Sequence, residues 1–169
     1  MATFRIVPDR SRVWIDARTS VHPIHGEADG VTGALDLEVD GDALVLEPPP
    51  TGRLTLPVGR LRSGNRLYDS ELLRRVDARR YPEIIAEVRE VTRSGHGYRV
   101  RGDLTFHGVT RRVDGEVSVA FPDPDTAEIT GERTFDVRDF GVEPPKILLL
   151  RVYPDVTVRV RLLAARADD

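Results

Sequence analysis

The side chains best suited to chemistry near neutral pH are histidines, and this chain has four. His22 and His25 lie in "TSVHPIHGEADG" with Glu27 and Asp29 close behind. Two imidazoles and a carboxylate form a donor set suited to zinc or a similar ion. The spacing matches neither a helical nor a knuckle motif, and a solvated loop is the favoured reading. His107 ends the alternating run in "GDLTFHGVTRRV", on the same strand face as Asp103 and Thr105. A hydroxyl, an imidazole and a carboxylate are the components of nucleophilic catalysis, but a reaction also needs an oxyanion donor and a pocket. An outward strand face offers neither. His107-Gly108 is therefore read as a turn between two strands, with His107 pointing outward.

Two further segments invite a charged ligand. "LLRRVDARRYP" holds Arg74, Arg75, Arg79 and Arg80, guanidinium groups that would suit a phosphate or a lipid headgroup. A solvated helix face is the plainer account. "SGHG" at 94 to 97 lacks the lysine and following helix of a phosphate-cradling loop and reads as a hairpin turn. All but one of the 25 basic residues are arginine, Lys146 being the exception, a bias that a GC-rich genome produces. With no cysteine there is no disulfide, thiolate or Cys-ligated metal. A net charge of −3 and a pI near 5.8 give no overall attraction to phosphate backbones, so no nucleic-acid partner is expected. No segment approaches the roughly 20 apolar residues of a membrane span, and the first residues lack a signal-peptide run. The expectation is one soluble, cytoplasmic domain over residues 1–169, without cofactor or metal.

The elements that must position these residues follow from period two, which sends alternate side chains to opposite faces of a strand. Val13, Ile15 and Ala17 mark a first strand. Val31, Gly33, Leu35, Leu37 and Val39 mark a second, and Leu54, Leu56 and Val58 a third whose Pro57 suits an edge, bulge or strand end. Ile84, Ala86 and Val88 follow, then Tyr98, Val100, Gly102, Leu104 and Phe106. Val113, Gly115, Val117, Val119 and Phe121 make the sixth, closed by "PDPD". Ile129, Gly131, Arg133, Phe135 and Val137 make the seventh, and Val156, Val158, Val160 and Leu162 the eighth. Between the third and fourth lies one short helix, "SELLRRV", with Asp69 as its cap and Leu72, Leu73 and Val76 on one side.

Eight antiparallel strands with one apolar face each pack as a sandwich or close into a barrel, and closure is preferred because it removes exposed edges. At eight strands the interior is just filled by side chains or holds one small ligand. The inward set carries Gly33, Gly102, Gly115 and Gly131 with Ala17 and Ala86, against few aromatics. These small residues either leave volume or mark bulges and sharp coiling. Arg133 is the one charge on the inward face. Its guanidinium should meet Asp136, Asp139 or an anionic ligand group, or sit at an open end.

Several segments in order resemble the YceI-like family, lipocalin-like barrels associated with polyisoprenoid and other long apolar ligands. "VPDRSRVWIDA" is similar to the family's opening Ser-x-Val strand, "GVTGALDL" follows, and "LRSGNRLYDSELLRRVDARRYPEI" resembles its helical crossover ending in Tyr-Pro. "YRVRGDLTFHGVTRRV" looks like its Gly-x-Leu-Thr-x-x-Gly-x-Thr hairpin, carried by Gly102, Leu104, Thr105, Gly108 and Thr110, and "VRDFGV" like its Asp-Phe-Gly segment. The departures are Arg10-Ser11 for His-Ser, Thr19 for a strand-one histidine, and Tyr68-Asp69-Ser70-Glu71-Leu72 for Arg-Asp-x-His-Leu. They put the polar groups at the pocket mouth, rather than the fold, in question.

The resemblance implies an all-β chain: an extended eight-stranded antiparallel lipocalin-like β-barrel with a short helical crossover, and by analogy a homodimer. The expected function is non-enzymatic binding, for carriage or storage, of a polyisoprenoid or fatty-acid-like lipid inside the barrel. The wall would be Ile15, Leu35, Leu37, Leu54 and Leu56, then Ile84, Val88, Leu104 and Phe106, and finally Val117, Val119, Phe135 and Val158. Leu72 of the helix would form the rim. The alternative is a packed barrel without ligand, acting as an interaction or scaffold protein.

Overall fold

Alternation this regular leaves the chain little choice but strands. The structure, a computed structural model, describes residues 1–147 and 149–167. The elements begin with β1 (Ala2–Ile6), β2 (Arg12–Thr19), β3 (Ile24–Ala28), β4 (Thr32–Asp40), β5 (Ala43–Val45) and β6 (Thr51–Pro57). After the helix α1 (Arg66–Arg75) come β7 (Glu83–Ser94), β8 (Gly97–Phe106), β9 (Val109–Asp123) and β10 (Thr126–Asp136), then β11 (Lys146–Ile147) and β12 (Leu150–Arg166). Hydrogen bonding runs β1-β4-β6-β7-β8-β9-β10-β12 and returns from β12 to β1, a closed antiparallel circuit of eight strands.

The expected eight-stranded barrel is present, with a different membership. The run at 13–17 belongs to β2, which flanks β12 and pairs with β3 beside the circuit. The circuit is completed by β1, for which the sequence reading had no strand. The His22/His25 segment, expected as a loop, is a turn followed by β3, which hydrogen-bonds through Glu27 to Arg62 in both directions at 2.9 Å.

β12 solves the closure problem by sharing one edge. Val152 to Arg161 pair with β2, and Ala164 to Arg166 with β1. At the changeover, Leu163 would lose its partners. Instead its carbonyl accepts from the Val7 N–H at 2.8 Å, and its N–H donates to Ser11 Oγ at 3.0 Å. The Ser11 hydroxyl donates to the Val7 carbonyl at 2.9 Å. Pro8, opening a 3-10 turn (Pro8–Arg10), carries the chain out of β1 and into β2. Ser11 is fully buried, so each of these bonds replaces one that water cannot make.

The strand directions put α1, the β2–β3 turn, the His107-Gly108 turn and the β10–β12 connection at one end, called the upper end. The lower end is packed. Phe4, wholly buried, meets Phe121 edge-on at 6.5 Å, so Phe121 serves this packing. The β4–β5 hairpin brings Leu44 under the barrel, where its N–H donates to the buried Tyr98 hydroxyl at 2.9 Å.

Three local expectations are corrected. The helix starts earlier than expected: Asn65 is its cap, accepting from the N–H groups of Leu67 and Tyr68. Asp69 lies inside the first turn and reaches back to the Ser63 N–H and hydroxyl at 2.9 and 2.7 Å. Leu73 is exposed, away from the buried Val76. Gly33 is exposed on β4 rather than directed inward. Gly102 does face inward, and it also answers a close approach. A Cβ there would stand 2.1 Å from the Glu87 carbonyl oxygen, beside the β7 bulge between Val88 and Glu90.

Replacing Ser11 with Ala leaves the buried Leu163 N–H without an acceptor. The expected cost is about 1–3 kcal/mol of unfolding free energy, read from urea denaturation. A variant as stable as the parent would show that the changeover does not depend on this hydroxyl.

Candidate functional site

Above the packed floor the barrel is hollow. The cavity has a volume of about 570 Å³, within the usual range for small-molecule sites. Its wall is aliphatic because every circuit strand except β1 turns alternate residues toward it.

All fourteen residues expected to form the wall and rim border this space. Ile15 comes from β2, Leu35 and Leu37 from β4, and Leu54 and Leu56 from β6. Ile84 and Val88 come from β7, Leu104 and Phe106 from β8, and Val117 and Val119 from β9. Phe135 and Val158 close the ring on β10 and β12, and Leu72 faces it from α1. Gly102, Gly115 and Gly131, with Ala17 and Ala86, also border it and withhold side-chain volume. Volume and coiling, the two roles weighed for these glycines, thus coincide at Gly102.

Sequence reasoning missed the upper rim. Leu61, Val142, Pro144, Pro145 and Ile147 line the cavity from segments without alternation. For the last four the only sequence signal is the apolar content of "GVEPPKI", which the period-two criterion passes over.

The wall has one incompletely laced stretch. β9 and β10 pair from their shared turn up to Val117 and Gly131. Above that point β9 continues on β8 to Val109, and β10 on β12 to Asp136. Among the described residues they share no further ladder pair. Arg133 occupies this seam. It is half-exposed and lines the cavity; its Nη1 donates to Asp114 Oδ1 at 2.6 Å, and its guanidinium stands 5.4 Å from the Phe135 ring centre. The partner is therefore Asp114 across the seam, rather than Asp136 or Asp139. Asp136 accepts from Arg138, and the Asp139 carbonyl accepts from Arg111 at 2.9 Å. Arg99 is the second donor to Asp114.

The histidines are held apart from this space. His107, in the left-handed region with φ +55, directs Nδ1 to the Phe140 carbonyl at 3.0 Å and packs edge-on to Tyr81 at 5.3 Å. It ties the β8–β9 turn to the 3-10 turn Val137–Phe140. Its supposed companions turn elsewhere: Thr105 bonds the Thr110 hydroxyl at 2.7 Å, and Asp103 accepts from Arg89 and Arg112. His25 Nδ1 meets Asp16 at 2.5 Å, and His22 Nε2 meets the Tyr68 hydroxyl at 3.5 Å. Among the described residues no three His, Asp or Glu side chains gather closely enough to hold a metal ion.

The outer face carries the charge. Hydrogen bonds from Arg99 and then Arg133 hold the Asp114 carboxyl below its ordinary pKa. Arg89 and Arg112 do the same for Asp103, and Arg138 for Asp136.

A family model described as the YceI-like domain matches residues 4–164. Among solved structures, Burkholderia cenocepacia BcnA superposes with a TM-score of 0.78 at 19% identity, covering 95% of this chain and 99% of the other. A polyisoprenoid binding domain from Saccharophagus degradans, implicated in plant cell wall breakdown, gives 0.75 at 12% identity over 99% and 100% of the two chains. Campylobacter jejuni YceI protein gives 0.66 at 14% identity over 85% of each. At these identities the likeness is one of fold. No curated protein matches the chain significantly.

The lowered carboxyls fix the sign of the acid response. Each ionises more readily folded than unfolded, so its contribution is complete above the unfolded range, about pH 4, and is lost as the pH falls through the lowered values. The melting temperature should therefore drop below about pH 4. Asp114→Asn should lower it near neutrality and flatten the acid limb; an unchanged melting profile for this variant would rule out the seam bridge as a stabilising contact.

Proposed function

The chain belongs to the YceI-like domain family, and from that membership we propose that it binds one long apolar molecule inside the barrel, a polyisoprenoid or a fatty-acid-like lipid. It carries or stores this ligand without altering it. The single observation that carries the reading is the hollow itself: a largely aliphatic wall, interrupted by Arg133 at the seam, around about 570 Å³. At the roughly 30 Å³ that a water-sized group takes up in a liquid, that is room for on the order of 20 such groups. The polyisoprenoid binding domain among the structural neighbours supports the same ligand class.

Burial drives such binding. Each methylene moved from water to the wall contributes about 0.8 kcal/mol, so some fifteen carbons give about 12 kcal/mol. Association and ordering costs then subtract at least several kcal/mol. Micromolar or tighter affinity follows without a polar anchor, and chain length governs it more than headgroup chemistry. The separate engagements of Thr105, His107 and Asp103 support binding rather than turnover. The packed scaffold barrel is the weaker reading, because side chains that should plug it instead border space.

Native mass spectrometry of protein purified without detergent is expected to show an adduct of lipid mass. Affinity for a homologous series should rise about fourfold per added methylene until the cavity is full. Leu104→Trp and Val117→Trp should each block uptake of a fluorescent lipid probe while leaving a cooperative melt. Unchanged uptake by both variants would refute the tunnel.

A further inference from the structure

Six large apolar side chains are conspicuously exposed among the described residues: Met1, Val21, Leu67, Leu73, Leu149 and Tyr153. Scattered singly they would need no explanation. Five of the six, all but Met1, stand at the upper end of the barrel. Val21, 73% exposed, caps the β2–β3 turn; Leu149, 92% exposed, lies in the β11–β12 turn; Leu67 is in the first turn of α1. These segments are joined. His22 Nε2 meets the Tyr68 hydroxyl, the Ser20 N–H donates to the Arg151 carbonyl at 2.9 Å, and the Arg18 guanidinium stands 5.9 Å from the Tyr153 ring centre.

Charge follows the same polarity. The connection from Val58 to Pro82 holds seven arginines against Asp69, Glu71 and Asp77, in a chain whose net charge is −3. Arg66, Arg79, Lys146 and Arg151 are exposed and have no ion-pair partner among the described residues. The lower end carries Asp40, Asp42, Glu47, Asp123 and Asp125 against Arg93 and Arg166, while the upper end adds Glu83, Asp139 and Glu143 to its acids and Arg138, Lys146 and Arg151 to its bases. At a Debye length of about 8 Å the two ends act separately, so the negative total does not cancel the basic end at close range.

We propose that the upper end of the barrel docks on an anionic lipid bilayer, with Val21, Leu67 and Leu149 entering the interface and the unpaired arginines meeting lipid phosphates. Apolar tips ringed by basic side chains are the combination such a surface holds. Continuity with the cavity supplies the reason. Tyr68, Leu72, Pro144, Pro145 and Tyr153 line the hollow at this same end. Docking there would let a ligand pass between barrel and membrane without exposing its chain to water. That last step rests on the ligand reading above; the docking itself does not. No helix among the described residues is long and apolar enough to cross a membrane.

The test is cosedimentation of the full chain with two vesicle types, phosphatidylcholine alone and phosphatidylcholine mixed with phosphatidylglycerol, at low and high salt. Binding should be confined to the mixed vesicles and weaken with salt. Arg66→Gln with Arg79→Gln should reduce partitioning by about fivefold for each charge removed. Leu67→Asp with Leu149→Asp should abolish it. None of these four side chains lines the cavity, so uptake of the fluorescent lipid probe in vesicle-free solution should be unchanged in every variant, which also reports that each has folded. No partitioning at low salt, equal partitioning into both vesicle types, or parental binding by both double variants would overturn the proposal. Docking without probe uptake would sink the ligand reading and leave the docking surface standing.

Discussion

A sheet becomes a barrel only when every strand finds two neighbours, and here the last strand finds its second neighbour in two instalments. The buried Ser11 hydroxyl spans the interval, answering the Leu163 N–H on one side and the Val7 carbonyl on the other. This constraint matters the more because the hollow leaves the middle of the barrel without packing across it. A hollow forfeits the dispersion contacts that normally hold opposite walls together. The wall must then stand on its ladder bonds and on the packed floor around Phe4, Tyr98 and Leu44. The serine in the opening Ser-x-Val motif is in this sense a closure residue rather than a ligand contact.

Much of this architecture was legible because period two is a local signal. The longer strands declare their inward faces within their own residues, and inward residues of a closed circuit necessarily border the interior. What lay hidden was non-local or too short to repeat. β1 offers five residues and β3 only Ile24 and Ala28 as apolar markers, so neither alternates convincingly. Asn65 was passed over as helix cap because the apolar spacing begins later, near Leu72. Arg133 was assigned to acids close in sequence, whereas its partner Asp114 is set by which strands lie side by side. The cavity rim at Val142 to Ile147 follows from where the β10–β12 connection folds back, something no spacing rule encodes.

The groups that first suggested chemistry are engaged in construction. His107 fastens two turns at the upper end, Thr19 accepts from the Val21 and His22 N–H groups to hold the β2–β3 turn, and Asp103 sits between two arginines. The arginine-rich composition is spent on the outer face in the same way. Several guanidiniums lie over aromatic rings, as Arg159 does over Trp14 and Arg166 over Phe4 at 5.4 and 5.0 Å. Surface ion pairs such as those of Asp103 individually add little. Set against a closed ladder they chiefly keep polar side chains on one side of the wall and apolar ones on the other.

The girth of a fully laced barrel is fixed by its strand count and stagger. Between Val109 and Glu116 on one side and Glu132 and Asp136 on the other, this one is fastened by side chains instead. At that level its girth is therefore held by the clasp between Arg133 and Asp114 and not by a backbone rung.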